Sequence, residues 1–219
     1  MNRYAIYGCG GHGREVLPIV QDTLRVEPHA ADAIVFVSDV EHEIGTIVNR
    51  VPVISFDSLI SSGNRDRKVI LSLGSSATRR TLAEKCEAEG LGFISIAATT
   101  HRRFSDVSID EGAVFSDFTL CTTNVSVGRH FQCNMYSYVA HDCTIGDFVT
   151  FGPRVNCNGR IVIEDDVYIG SGAVLRNGSA DRPLTIGKGA VIGMGSIVTK
   201  DVAPFSTVVG NPARPLVKR

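Results

Sequence analysis

The chain has 219 residues, 43% of them hydrophobic and 21% charged, with 22 Lys and Arg against 23 Asp and Glu. Its net charge of −1 gives no electrostatic basis for binding nucleic acid or an anionic membrane, and no apolar run approaches the roughly 20 residues of a spanning helix. The apolar start, Tyr4 to Tyr7, is too short for a signal peptide and runs straight into glycines, so a cytoplasmic location is expected.

Arg3 to Tyr7 reads as a β-strand that ends in Gly8-Cys9-Gly10-Gly11-His12-Gly13. Val16, Leu17, Val20 and Leu24 then follow at helical spacing. Strand, glycine turn and helix present a helix N-terminus to a phosphate. Two readings of these glycines stand: a tight turn that binds nothing, or a phosphate cradle. The spacing predicts further strands at Ala33 to Val37, Val51 to Ile54, Val69 to Leu73 and Phe93 to Ile96. A helix is predicted over Thr78 to Glu89, capped by Ser75 or Ser76 and stopped by Gly90. Strands alternating with helices indicate a small parallel, Rossmann-like sheet whose ligands sit at the carboxyl ends of its strands. The second strand delivers Ser38 and Asp39 there. Asp39 lies 26 residues past Gly13, a loose fit to the roughly 20 of a dinucleotide fold. It equally suits a nucleobase or ribose edge.

From Ile109 onward every sixth residue is apolar: Ile109, Phe115, Cys121, Val127, Cys133, Val139, Ile145, Phe151, Cys157, Ile163, Ile169 and Leu175. The positions four further on, such as Ala113, Val125, Cys143 and Val149, are mostly small or β-branched. Gly128, Gly146, Gly152 and Gly170 directly follow apolar slots and are expected to turn corners. The register breaks once, at Arg176 to Pro183, and resumes at Ile192 and Val198. A period of six is the hexapeptide signature of a β-helix, in which three hexapeptides close one triangular coil and coils stack about 4.8 Å apart. The cysteines contain no C-x-x-C pair, which argues against a zinc or redox motif. Cys121, Cys133, Cys143 and Cys157 fall on inward slots, so packing is expected of them rather than covalent catalysis.

The opening Tyr7-Gly8-Cys9-Gly10-Gly11-His12-Gly13-Arg14-Glu15, the coils, Ala140-His141-Asp142-Cys143-Thr144-Ile145-Gly146-Asp147 and the closing Gly210-Asn211-Pro212-Ala213-Arg214 together resemble the sialic acid O-acetyltransferase (NeuD) family. Its members include N-acetyltransferases of nucleotide-linked 4-amino sugars. The resemblance implies a sugar-nucleotide-binding α/β domain over residues 1–97 and a left-handed β-helix over 98–219. It implies homotrimers with active sites between adjacent β-helices, acetyl-CoA as cosubstrate and no metal. It further implies direct acetyl transfer to the amine of a nucleotide-linked 4-amino-4,6-dideoxy sugar, with His141 as general base and Asp142 as its acidic companion. It assigns acetyl-CoA to Gly159, Thr150, Gly170, Asn177, Gly178 and Gly193, with Thr150 standing where a relative carries a second histidine. It assigns the sugar nucleotide to Gly10, Gly11, His12, Gly13, Arg14, Asp39, Gly74, Ser75 and Asn134.

The residues themselves are consistent with that chemistry. An imidazole with a reference pKa of about 6.5 accepts a proton near neutral pH, and a neighbouring carboxylate fixes its tautomer. His141 lies two residues past an axial slot and should leave the interior. By the residues alone it is equally an exposed histidine without chemical duty, and Asp142 equally a solvated corner. His12 and Arg14 offer charge-assisted contacts or are simply solvated. His130 and Arg79 are expected at the surface. Rival functions are O-acetylation of sialic acid or a related sugar, an NAD-dependent oxidoreductase, a metal-dependent hydratase and a non-catalytic scaffold. The oxidoreductase leaves the hexapeptides unexplained, and the hydratase lacks a histidine cluster.

Overall fold

The computed structural model describes residues 3–23 and 33–216, so Leu24 lies outside the described residues. The chain forms two compact units, Met1–Thr99 and Thr100–Arg219.

The first unit is an α/β fold. Strand β1 (Tyr4–Tyr7) leads into α1 (Gly11–Thr23), followed by β2 (Ile34–Val37), β3 (Ile47–Val48), β4 (Val51–Ile54), α2 (Phe56–Ile60), β5 (Lys68–Leu71) and α3 (Ser76–Ala88). The sheet order is β3-β4-β2-β1-β5, parallel except where β3 and β4 form an antiparallel pair. Every residue of β1 and β2 is buried, as expected of parallel strands covered on both faces. Tyr7 is in register with both Val37 and Leu71, so the loops after β1, β2 and β5 emerge side by side. Among the described residues, the segment expected as a fifth parallel strand joins this sheet only through a single bridge, Phe93 to Val69. The β3 edge strand and α2, too short for a periodic signal, were not expected.

The second unit is a left-handed parallel β-helix. Leu120 pairs with Tyr138 and Tyr138 with Asn156, an 18-residue repeat. Across the loop at residues 176–183 the offset widens to 23, with Val174 beside Ile197. Axial Phe115, Cys121, Val139, Phe151, Cys157 and Ile169 are all buried. Burial of this continuous apolar stack stabilises the coils.

The corners differ from expectation. The glycines after the axial slots do not carry the left-handed backbone. That falls three residues past each slot, on Asp106, Phe118, Asn124, His130, Tyr136, Asp142, Phe148, Arg154, Arg160 and Asp166, all with φ between 54° and 62°. Each such non-glycine residue costs on the order of 1 kcal/mol, which the inter-coil ladder offsets. Gly128, Gly146, Gly152 and Gly170 are instead required by close stacking: a Cβ at Gly146 would stand 2.7 Å from the Asp165 amide nitrogen.

Two further side chains depart from their expected places. His130 is fully buried, because Gly112 one coil earlier leaves room for its ring, which stacks on Phe148 at 4.9 Å. Arg79 is also fully buried. It folds back beneath its own helix entry and donates to the Leu73 carbonyl at 2.7 Å and the Gly74 carbonyl at 3.2 Å.

Candidate functional site

In the first unit, three loops meet at the carboxyl end of the sheet. Gly8 adopts φ 101°, and a Cβ at Gly13 would collide with the Gly8 carbonyl. These two glycines are demanded by the turn itself. Gly10, Gly11 and Gly74 face open space, so their backbone is approachable. The first turn of α1 directs amides into that space, and Ser75 caps α3 by accepting from the Thr78 amide at 3.3 Å. Ser72 ties the loops together by donating to the carbonyls of Tyr7 at 2.8 Å and Gly8 at 3.0 Å.

Asp39 stands beside them in a small network. It accepts from the Tyr7 hydroxyl at 2.7 Å and from Lys85 at 2.9 Å. Partial burial opposes ionisation of Asp39, but the bonds from Lys85 and Tyr7 outweigh it and hold the carboxyl below its usual value. Burial, reinforced by Asp39, pushes the Tyr7 phenol upward. The Lys85 ammonium lies 4.0 Å from the Phe56 ring centroid, a cation–π contact. Glu43 braces both neighbouring loops, accepting from Ser38 at 2.5 Å and Cys9 at 3.1 Å. His12 faces Glu15 at 3.6 Å and Arg14 turns back on the Gly10 carbonyl at 3.3 Å. Lys85, Tyr7 and Glu43 were not singled out as site residues: Lys85 reaches the loops from the distant α3, and Tyr7 and Glu43, although close in sequence to Gly8 and Asp39, carry no motif that marks their side chains.

In the second unit, His141 and Asp142 occupy one corner, both exposed. The imidazole Nδ1 is 2.8 Å from Asp142 Oδ2. The bonds from His141 and then Asn124 hold the Asp142 carboxyl below its ordinary value. An ionised carboxylate only accepts, so in the neutral imidazole this contact puts the proton on Nδ1 and leaves the lone pair on Nε2. The ring covers Gly159, buried beneath it. Asp142 Oδ1 accepts from Asn124 at 2.9 Å, and Arg160 Nε stands 3.8 Å from Oδ2. Asn124 and Arg160 lie one coil on either side of Asp142, a spacing visible once the 18-residue period is used to align the chain. Asn177 and Gly178 follow on the next coil, where Gly178 N donates to Gly159 O at 3.0 Å.

That edge opens into a cleft of about 790 Å3 lined by Arg176, Asn177, Gly178, Arg182, Lys200 and Asp201 among others. Its three cations suit a polyanionic ligand.

Asn134, Thr150, Gly170 and Gly193 are not brought to His141. Asn134, Gly170 and Gly193 follow the axial residues of another face and share the next corner. Asn134 donates to the Phe151 carbonyl at 2.7 Å, and Thr150 is buried. A whole strand face, including Tyr138 and Asn156, separates the two groups.

Cys143 is buried two residues from His141, and its thiol donates to the Asn158 carbonyl at 3.2 Å. Burial pushes the Cys121 thiol up to about 12. Among the described residues, no group of three His, Cys, Asp or Glu side chains could hold a metal ion. No helix among the described residues is long and apolar enough to cross a membrane.

Residues 3–86 match the family described as the PglD N-terminal domain. The GDP-perosamine N-acetyltransferase of Escherichia coli O157:H7 is 42% identical over 214 residues, 98% of this chain and 96% of that protein. The solved structure of WeeI from Acinetobacter baumannii AYE superposes with a TM-score of 0.94 at 41% identity, covering 99% of this chain and 100% of that one. The acetyltransferase domain of PglB from Neisseria gonorrhoeae FA1090, in complex with acetyl coenzyme A, gives 0.84 at 28% identity, covering 99% and 100%.

Proposed function

The chain belongs to the NeuD-like family of sugar acetyltransferases, and on that premise we propose that it moves acetyl from acetyl-CoA to the amino group of a nucleotide-linked 4-amino-4,6-dideoxy sugar, with GDP-perosamine as first candidate. The observation that carries the chemistry is the His141–Asp142 pair, with Nδ1 committed to the carboxylate at 2.8 Å. The amine nitrogen attacks the thioester carbonyl carbon while His141 Nε2 accepts its proton. The carbon–sulfur bond then breaks, and the CoA thiolate leaves and is protonated. Asp142 stabilises the imidazolium formed in between. The Gly159 amide is assigned to the developing oxyanion, where a fixed donor lowers the barrier.

The glycine loop, Asp39 and the Gly74-Ser75 turn are assigned to the sugar nucleotide. Open backbone at Gly10, Gly11 and Gly74 supports this reading. His12 and Arg14 stand at its margin. The cationic cleft, which includes Asn177 and Gly178, is assigned to the phosphates of acetyl-CoA. Asn134, Gly170 and Gly193 lie on a separate edge of the prism, with Thr150 on the strand that leads to it, and a site that uses both edges needs two chains. Phe118 and Tyr136, 56% and 54% exposed on the Asn134 corner, support a covered face there. A homotrimer with sites shared between β-helices satisfies both observations. We place the reaction in the cytoplasm, upstream of polysaccharide assembly.

The test is a screen of UDP-, GDP- and dTDP-linked amino sugars with acetyl-CoA, read by release of free CoA. Turnover is expected with a 4-amino-4,6-dideoxy sugar nucleotide. Reaction of hydroxyl acceptors alone, such as free sialic acid, overturns the N-acetyltransferase reading.

A further inference from the structure

Three successive coils stack Asn124, Asp142 and Arg160 in one corner column, with φ of 55°, 58° and 60°. The coil register places the Asn124 amide 2.9 Å from Asp142 Oδ1. Since an ionised carboxylate only accepts, the amide presents its NH2. The opposite oxygen, Oδ2, takes His141 Nδ1 at 2.8 Å and faces Arg160 at 3.8 Å. Each carboxylate oxygen therefore has its own donor. The backbone beneath is pinned on both sides, Asp142 N to Thr123 O at 3.1 Å and Arg160 N to His141 O at 2.9 Å. The remaining freedom is rotation of the carboxylate about its terminal torsion, which is broad for aspartate. The Asp142 side chain is 38% exposed, so packing alone does not stop that rotation.

We propose that Asn124 is a positioning residue for acetyl transfer: it fixes the plane of the Asp142 carboxylate, so that His141 keeps its proton on Nδ1 and presents a bare Nε2. This rests on the general-base reading of His141. Asn124 touches neither acceptor nor thioester and acts only through Asp142. It meets two demands at once, because asparagine tolerates the left-handed corner and carries a donor.

The clean deletion is N124G. Glycine holds a φ of 55° without strain, so the donor is lost while the corner survives. N124D keeps the shape but sets a second carboxylate beside the first, where two like charges repel. Both variants are measured for kcat and for KM of each substrate, and by 15N spectra of the neutral His141 imidazole, with thermal melting as control. The expectation for N124G is a mixture of Nδ1–H and Nε2–H tautomers where the wild type holds Nδ1–H. With it, kcat should fall roughly three- to tenfold, the scale of one partly screened charge-assisted bond, with both KM values little changed. N124D should fall further. An unchanged tautomer in N124G, or a kcat loss that tracks melting and not the tautomer, overturns the proposal. A wild type that does not acetylate any amino-sugar nucleotide overturns the functional reading instead, and the spectra still decide the role of Asn124.

Discussion

The His141 imidazole occupies the space that a β-carbon on Gly159 would need: an added methyl would come to 2.5 Å from both Cε1 and Nε2. Gly159→Ala therefore displaces the ring and leaves the coil intact, because the half-exposed side chain can swing outward by giving up its contact with Asp142. Misplacing a catalytic group by about 1 Å costs on the order of 100-fold. We expect kcat to drop by about that factor with little change in Tm, measured by steady-state kinetics and thermal melting.

Removing the base itself costs more. General-base catalysis contributes typically 10²–10⁴-fold, and His141→Asn should lose about that in kcat with acetyl-CoA affinity nearly unchanged. The ascending limb of the pH–rate profile should vanish with it. Asp142→Asn should cost less, since it orients the base without taking the proton. Cys143→Ala should retain most activity, because its thiol is buried and bonded to a carbonyl. A dead Cys143→Ala beside an active His141→Asn points instead to an acyl-enzyme.

Asp39 makes a pH-dependent contribution whose sign is set by its folded state. Its carboxyl is held below the ordinary value of 3.8. The contribution is therefore whole above that value and is lost as pH falls through the lower folded one. The Asp39 and Lys85 side chains are 46% and 39% exposed, so screening limits their pairing to about 1 kcal/mol at most. Asp39→Asn should show a small Tm deficit at neutral pH that closes in acid. The same variant should raise KM for the sugar nucleotide and not for acetyl-CoA. A deficit that grows on acidification contradicts the ionised state of Asp39.

The cationic cleft is tested by charge reversal. Lys200→Glu, which lines the cleft at an exposed position, should raise KM for acetyl-CoA about tenfold at low salt, with the effect shrinking as ionic strength rises. Sugar-nucleotide KM should stay put. Equal changes in both would remove the cleft from the acetyl-CoA site.

Sedimentation decides assembly. A trimer of the 23.5 kDa chain is expected, with activity lost on dilution as subunits separate. A fully active monomer contradicts a site shared between chains.

Much of this was legible before folding. The six-residue period placed the axial residues, and the cysteines with them, because a β-helix core repeats with the chain. His141 and Asp142 were visible as an outward pair. What escaped were side chains whose position depends on a neighbour one coil away. His130 looked like surface until Gly112 beneath it proved to leave a socket. Asn124 and Arg160 carry no motif, and their meaning appears only when the chain is wound at 18 residues per turn. The corner glycines were misread for a related reason. Glycine suggests a left-handed backbone, but here it records the closeness of the next coil.

The loop at residues 176–183 is where the coil offset changes from 18 to 23. Elsewhere a single inserted residue would shift the reading frame of every later slot, turning core outward and pulling Asn124, Asp142 and Arg160 out of line. This loop has already absorbed five extra residues without that penalty, and it lines the cationic cleft. Insertion tolerance and ligand contact thus coincide in one segment. Changes of length there can retune what the cleft accepts while the catalytic corner keeps its geometry.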